Sequence, residues 1–137
     1  MRNLLIIISI LAFFPAMAAN AGSREDIIAQ LETLAKADDA NFSGFDAKRG
    51  EKLFSAKFST GKPETPSCTS CHSTSPKNAG ETRAGKAIDP MALSKTSDRY
   101  TDPKKVEKWF RRNCNSVLGR ECTPLEKGDF LAFMISQ

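Results

Sequence analysis

Helical periodicity of apolar side chains begins shortly after residue 22. The apolar positions lie three or four residues apart, as on one face of a helix: Ile27, Ile28, Leu31 and Leu34. Ser23 precedes them as an N-cap, and Asp26 stands where the acidic residue of a capping box would lie. The pattern predicts a first helix that begins after Ser23 and ends around Asp38 and Asp39.

A second helix is predicted after the N-cap Asp46, over residues 47 to about 58, with Phe54 on its buried side. Gly50 costs this helix up to about 1 kcal/mol relative to alanine. Either the glycine lets another helix approach closely, or it is tolerated near a helix start. Residues 59–101 are rich in proline and glycine and predict a long loop.

Two more helices follow. Asp102 and Pro103 are a typical helix start, and one apolar face runs on from them through Val106, Phe110, Asn113 and Val117. The basic residues of this helix lie mostly off that face: Lys104, Lys105, Lys108, Arg111 and Arg112. They are interpreted as a solvated surface, with a partner-docking patch as the alternative.

The last helix is predicted to start at Thr123, with Pro124 at its first position and Glu126 in the capping box. We expect it to cross the second helix near Gly50 and to pack with the first helix.

The N-terminus has the pattern of a secretory signal peptide. A basic start at Arg2 precedes an apolar run over residues 4–14, and small residues follow at Ala16, Ala18, Ala19 and Ala21. We predict a signal peptide over residues 1–21, cleaved after Ala21 or Ala18, with an uncleaved anchor as the alternative. The expectation is a periplasmic protein without a permanent membrane anchor, whose residues 22–137 form one domain.

Charge adds little to this picture. The 137 residues carry a formal net charge of +4 at pH 7. A mildly basic chain favours an acidic redox partner and gives no indication of nucleic-acid binding.

The strongest chemical signal is Cys68-Thr69-Ser70-Cys71-His72. Two cysteines two residues apart and followed by histidine are typical of a c-type haem attachment site, in which both thiols form thioethers and the imidazole ligates iron. One such motif predicts one covalently attached haem c. The alternatives are a thiol–disulfide redox pair, or a zinc site completed by Cys114 and Cys122.

Cys114 and Cys122 remain once thioether attachment uses the other two cysteines. A disulfide between them would close a short loop and contribute roughly 2.6 kcal/mol in the chain-entropy model. Two free thiols are the alternative. The sixth iron ligand stays open on the residues alone, and the candidates are Met91, Asn113, Met134, a lysine or no ligand.

First and last helices packed together around a loop-wrapped haem is the plan of class I cytochromes c. By this analogy we predict an all-α, single-domain fold with helices and a long loop around one covalent haem.

Several segments of the chain after residue 22 resemble the sphaeroides haem protein family of small monohaem cytochromes c. They are residues 61–72, 98–102, 106–109, 112–117, 119–120, 122–124 and 126–127. The resemblance implies that Asn113 is the sixth ligand and that Cys114 pairs with Cys122.

The resemblance also implies a function. Asn113 would ligate ferric iron and leave on reduction, so that O₂, NO or CO can bind. Electrons would come from a dihaem cytochrome c and a membrane cytochrome b. Whether the chain is an enzyme, such as a terminal reductase or an oxygen-handling protein, stays open. The alternative function is a simple electron-transfer cytochrome c with permanent His72 and Met91 ligation.

Overall fold

The computed structural model describes residues 23–137, and the predicted signal peptide over residues 1–21 lies outside them. In the described part of the chain the elements are α1 (Arg24–Asp38), α2 (Ala47–Ser55), α3 (Thr69–His72), β1 (Gly80–Glu81), β2 (Ala87–Ile88), α4 (Pro103–Val117) and α5 (Pro124–Ser136). The helical fold class predicted from the sequence is confirmed. No helix within residues 23–137 is long and apolar enough to cross a membrane.

Side-chain caps fix where the four long helices begin. The Ser23 hydroxyl accepts the Asp26 N–H at 3.1 Å, and the Asp26 carboxylate accepts the Ser23 N–H at 2.9 Å. The other three N-caps each accept a backbone N–H from three residues further on: Asp46, Asp102 and Thr123. These bonds satisfy N–H groups that have no partner within the helix. All four predicted helix starts are confirmed.

Helix α2 is shorter than predicted, and the expected end near Phe58 is wrong. The helix ends at Ser55, and Ala56 adopts an extended backbone with φ −62° and ψ 148°. The Phe58 N–H then donates to the carbonyl oxygen of Pro66 at 2.7 Å. A long-range bond to the following loop therefore replaces the next helical turn.

Helices α2 and α5 cross at Gly50, as expected from the sequence. A Cβ at Gly50 would lie 2.6 Å from the carbonyl carbon of Asp129 and 2.9 Å from the Cβ of Phe133. The buried Asp129 carboxylate also accepts the Asp46 N–H and the Nε–H of Arg49, each at 2.7 Å. Close backbone approach and a bonded carboxylate thus lock the crossing.

Helix α1 packs on α5 through Ile27, Leu31 and Leu131, so the expected packing of the first and last helices is confirmed. Residues 59–101 are mostly loop, as predicted, with two exceptions. The short α3 covers the Cys-x-x-Cys-His motif. Strands β1 and β2 pair antiparallel in the register Gly80↔Ile88 and Glu81↔Ala87.

Candidate haem site

The Cys-x-x-Cys-His motif folds into a single helical turn. Cys68 has helical backbone angles, and its carbonyl oxygen accepts the N–H groups of Cys71 at 3.3 Å and His72 at 3.1 Å. Both cysteines are free of disulfide bonds. One turn of backbone therefore carries two thiols and an imidazole, the groups that c-type haem attachment requires.

Two close contacts hold this turn in place. The hydroxyl of the buried Ser67 donates to the Phe54 carbonyl oxygen at 3.3 Å, and it accepts the Thr69 hydroxyl at 2.9 Å. On the other side Gly80 contacts the Cys71 carbonyl oxygen so closely that a side chain there would collide with it. The motif is thus fixed between the end of α2 and strand β1.

Burial shifts the pKa values of Cys68 and His72 in opposite directions. It raises the pKa of the Cys68 thiol to about 11. A thiol–disulfide redox pair relies instead on a thiolate at neutral pH, so the redox-pair alternative fits poorly. Burial, aided by the positive charge of Arg99, lowers the pKa of His72. The imidazole is therefore neutral at neutral pH, as an iron ligand must be.

The His72 ring lacks a protein partner. Its Nδ1 is buried and makes no hydrogen bond to any of residues 23–137. Leaving a buried polar atom unpaired costs about 1–3 kcal/mol. Haem c is attached through two thiols and its iron is ligated by an imidazole. The residues present therefore fit that group.

Asn113 lies on α4 at an exposed position, and its amide makes no side-chain hydrogen bond within residues 23–137. The helical spacing predicts Asn113 on the same apolar face as Val117, but Val117 is buried whereas Asn113 is exposed. Trp109, one turn earlier, is 45% exposed despite its large apolar ring. The Asn113 amide is therefore left without a side-chain hydrogen bond, whereas the Trp109 ring lies under the Arg112 guanidinium, whose carbon is 5.1 Å from the ring centroid.

The end of α4 is held by a disulfide and by the loop that leads to Cys68. Cys114 and Cys122 form the predicted disulfide, with Cα atoms 5.6 Å apart. This pairing removes both cysteines as zinc ligands, and residues 23–137 contain no other metal-binding group of three or more His, Cys, Asp or Glu side chains.

The loop is hydrogen-bonded to the end of α4 through its backbone and through the hydroxyls of Thr60 and Thr65. The Lys62 N–H donates to the Ser116 carbonyl oxygen at 2.7 Å, and the Thr60 hydroxyl donates to the Leu118 carbonyl oxygen at 2.7 Å. The turn that carries Asn113 and the motif that carries His72 are therefore linked by a short, bonded stretch of chain.

Met91 occupies a different environment from Asn113. It is buried and packs with Phe54, Phe133 and Met134. The neighbouring Ala92 N–H donates to the carbonyl oxygen of Pro76 at 2.8 Å. Pro76 lies four residues after His72 in the chain. Met91 thus lies in the helical core on a segment attached to the chain just beyond His72. Met134 is fully buried in the same cluster.

The apolar periodicity of the sequence gives no indication of two residues near the motif. Arg99 donates to the carbonyl oxygens of Pro90 and Asp89, each at 2.7 Å, and Tyr100 donates its hydroxyl to the Met91 carbonyl oxygen at 2.8 Å. They hold the Met91 segment from a loop. In the sequence, these two residues could be singled out only because they lie in residues 98–102, a segment that resembles the sphaeroides haem protein family.

Comparisons with known proteins agree with this geometry. Residues 40–134 match the family described as a domain of unknown function, DUF1924. The chain is 48% identical over 137 residues to cytochrome c-type protein SHP of Cereibacter sphaeroides, covering 100% of both chains. It is 31% identical over 120 residues to cytochrome c'' of Methylophilus methylotrophus, covering 87% of this chain and 83% of that protein.

Solved structures show the same relationship. The structure of oxidized SHP, an oxygen-binding cytochrome c, superposes with a TM-score of 0.77 at 49% identity, covering 85% of this chain and 98% of SHP. The crystal structure of oxidized cytochrome c'' superposes with a TM-score of 0.73 at 31% identity, covering 83% of this chain and 94% of cytochrome c''.

Proposed function

This chain belongs to the sphaeroides haem protein family of c-type cytochromes and matches DUF1924, and we propose that it is a periplasmic monohaem cytochrome that accepts electrons and binds small diatomic ligands. The observation that carries the proposal is a pair of unpartnered groups on linked segments. One is the buried Nδ1 atom of the half-buried His72 ring, and the other is the exposed amide of Asn113.

Cys68 and Cys71 would hold the haem by thioether bonds, and the His72 imidazole and the Asn113 amide would ligate its iron. When bound, the haem would supply a redox-active iron that can bind a small diatomic ligand. The neutral imidazole of His72 would stay in place, because its turn is fixed by Ser67 and Gly80.

Asn113 would act as the labile ligand. An amide oxygen is a hard donor that suits ferric iron better than ferrous iron, which prefers softer ligands. We therefore propose that Asn113 leaves on reduction. The protein SHP is described as oxygen-binding, and the solution structure of cytochrome c'' was interpreted in terms of haem-ligand detachment. Both relatives support a site whose sixth ligand is exchangeable.

The disulfide would set the position to which Asn113 returns, because Cys114 follows it directly and is bonded to the segment after α4. A Cys114→Ser/Cys122→Ser double variant should bind CO faster than the parent protein. Unchanged association rates would remove this role.

In the alternative function, a simple electron carrier, iron would be ligated permanently by Met91. Its side chain is 8% exposed and packs against Phe54 and Phe133. That packing favours a structural role for Met91.

Visible spectra of the ferric and dithionite-reduced protein, before and after addition of CO, test the proposal. We expect a high-spin ferrous spectrum that shifts at once with CO. Asn113→Ala should change the ferric spectrum. Asn115→Ala is the matched control, because Asn115 donates its side-chain amide to the Arg111 carbonyl oxygen at 2.6 Å, within the helix.

A low-spin ferrous spectrum indifferent to CO would overturn the proposed exchange. If Met91→Leu then abolished that spectrum, the electron-carrier alternative would hold instead. The proposed export is tested by the mass of the mature N-terminus, which should match cleavage after Ala21 or Ala18. The proposed donors, a dihaem cytochrome c fed by a membrane cytochrome b, are tested by stopped-flow reduction with each purified protein.

A further inference from the structure

A groove between α1 and α4, which extends to the start of α5, has no part in the proposed haem site. It encloses about 630 Å³. Its floor is apolar and is formed mainly by Ile27, Leu31, Leu34, Val106, Phe110 and Pro124. Asn113 and Trp109 do not line it, so the groove lies on another face of α4 from the candidate iron ligand.

The rim of the groove is positively charged. Lys104, Lys108 and Arg111 line it from α4, and none of the three makes an ion pair within residues 23–137. Lys127 is different, since its ammonium group lies 2.9 Å from a carboxylate oxygen of Glu107 and is largely neutralised by it. Three uncompensated cations therefore remain along one edge.

An apolar side chain stands open beside these cations. Leu34 is 47% exposed, and within residues 23–137 Trp109 is the other large hydrophobic side chain that is exposed. Apolar surface rimmed by polar groups is typical of a protein interaction site. The positive rim makes the groove complementary to carboxylates. A nucleic acid would also match the positive charge, but it would not bury the apolar floor.

We propose that this groove docks an acidic protein segment that inserts an apolar side chain beside Leu34 and places carboxylates against Lys104, Lys108 and Arg111. The site works independently of the axial ligand, because it lies away from Asn113. A partner held here would leave the Asn113 side of α4 open. Docking at this groove depends on charge and shape alone and does not require the proposed exchange of the sixth ligand.

A synthetic amphipathic peptide of leucine and glutamate tests the docking site. Binding to the haem-loaded mature protein is measured by calorimetry and by amide chemical shifts in nitrogen-15 spectra. We expect saturable binding, with shifts centred on Leu34, Lys104 and Lys108. A peptide of the same charge, with serine in place of leucine, should bind markedly more weakly.

Charge-matched variants separate the groove from general attraction. Lys104→Glu/Lys108→Glu should weaken peptide binding about tenfold or more at low ionic strength. Lys48→Glu/Lys52→Glu changes the net charge equally on α2, which does not line the groove, and should have a much smaller effect. Leu34→Ser should weaken binding about fivefold, since part of a leucine side chain loses its burial.

Three results would overturn the proposal. One is equal loss of binding in both lysine pairs, and another is equal binding of the serine peptide, since either means non-specific attraction. The third is sedimentation showing a dimer that Leu34→Ser dissociates, because a second copy of the chain would then cover the groove. Thermal unfolding of each variant should match the parent protein, because all the substituted side chains are exposed.

Discussion

Gly61 joins the loop before the haem motif to the end of α4, and its replacement by alanine is a sharp test of that link. A Cβ at Gly61 would lie 2.5 Å from the carbonyl carbon of Val117, and it would be closer still to the carbonyl oxygens of Ser116 and Val117. These are backbone atoms, which cannot rotate away as a flexible side chain can. The loop and the last turn of α4 must therefore separate.

The size of the effect follows from three contributions. Forcing a methyl group into a packed site typically costs about 1–3 kcal/mol. Separation also weakens the bond from the Lys62 N–H to Ser116, which contributes about 1 kcal/mol. Alanine also lowers the conformational entropy of the unfolded chain relative to glycine, which offsets about 0.4–1 kcal/mol of this destabilisation. We expect a net destabilisation of about 1–3.5 kcal/mol and a fall in Tm of roughly 5–15 °C.

Thermal unfolding of the haem-loaded protein by circular dichroism measures this effect. Gly85→Ala is the control, because Gly85 has φ +76° and no atom within 4 Å of its Cβ position. It should cost only backbone strain, about 1–2 kcal/mol. If Gly61→Ala destabilises no more than Gly85→Ala, the contact with α4 does not restrain the loop. If the contact does position Asn113, the ferric spectrum should also change in Gly61→Ala alone.

Three further predictions concern α5. Gly50→Ala should lower the free energy of unfolding by about 1–3 kcal/mol, although alanine has the better helix propensity, because a Cβ would collide with Asp129 and Phe133. Denaturant unfolding measures this loss. A neutral or stabilising result would contradict the close crossing of α2 and α5. Asp129→Ala should cost about 1.5–3 kcal/mol by removing charged hydrogen bonds to Arg49 and to the backbone, whereas Arg49→Ala, which leaves the backbone bond intact, should cost less. The pKa of Glu126 lies below its ordinary value of 4.5 because its carboxylate accepts hydrogen bonds, first from Arg120, so its contribution is present above about pH 4.5 and lost as pH falls through the lowered pKa. Glu126→Gln should therefore be less stable than the parent at pH 7, with the difference shrinking toward pH 3 in thermal melts; a pH-independent difference would exclude this linkage.

Much of the secondary structure was predictable because its signals are local. Ser23, Asp46, Asp102 and Thr123 each cap a helix with a bond to a residue three positions away, so sequence spacing alone locates the helix starts. The end of α2 was not predictable in this way. The bond between Phe58 and Pro66 that follows it depends on how the loop folds back.

The same distinction between local signals and long-range contacts applies to the candidate site. Cys68, Cys71 and His72 lie within one turn, so the pentapeptide by itself brings their side chains together and indicates haem c. The disulfide partners were also identified, since only two cysteines remained. Tertiary structure alone decided that Met91 is buried among core side chains, that Asn113 is exposed, and that α4 is bonded to the loop before the motif. These outcomes depend on contacts between segments far apart in the chain, which no local pattern of residue types encodes.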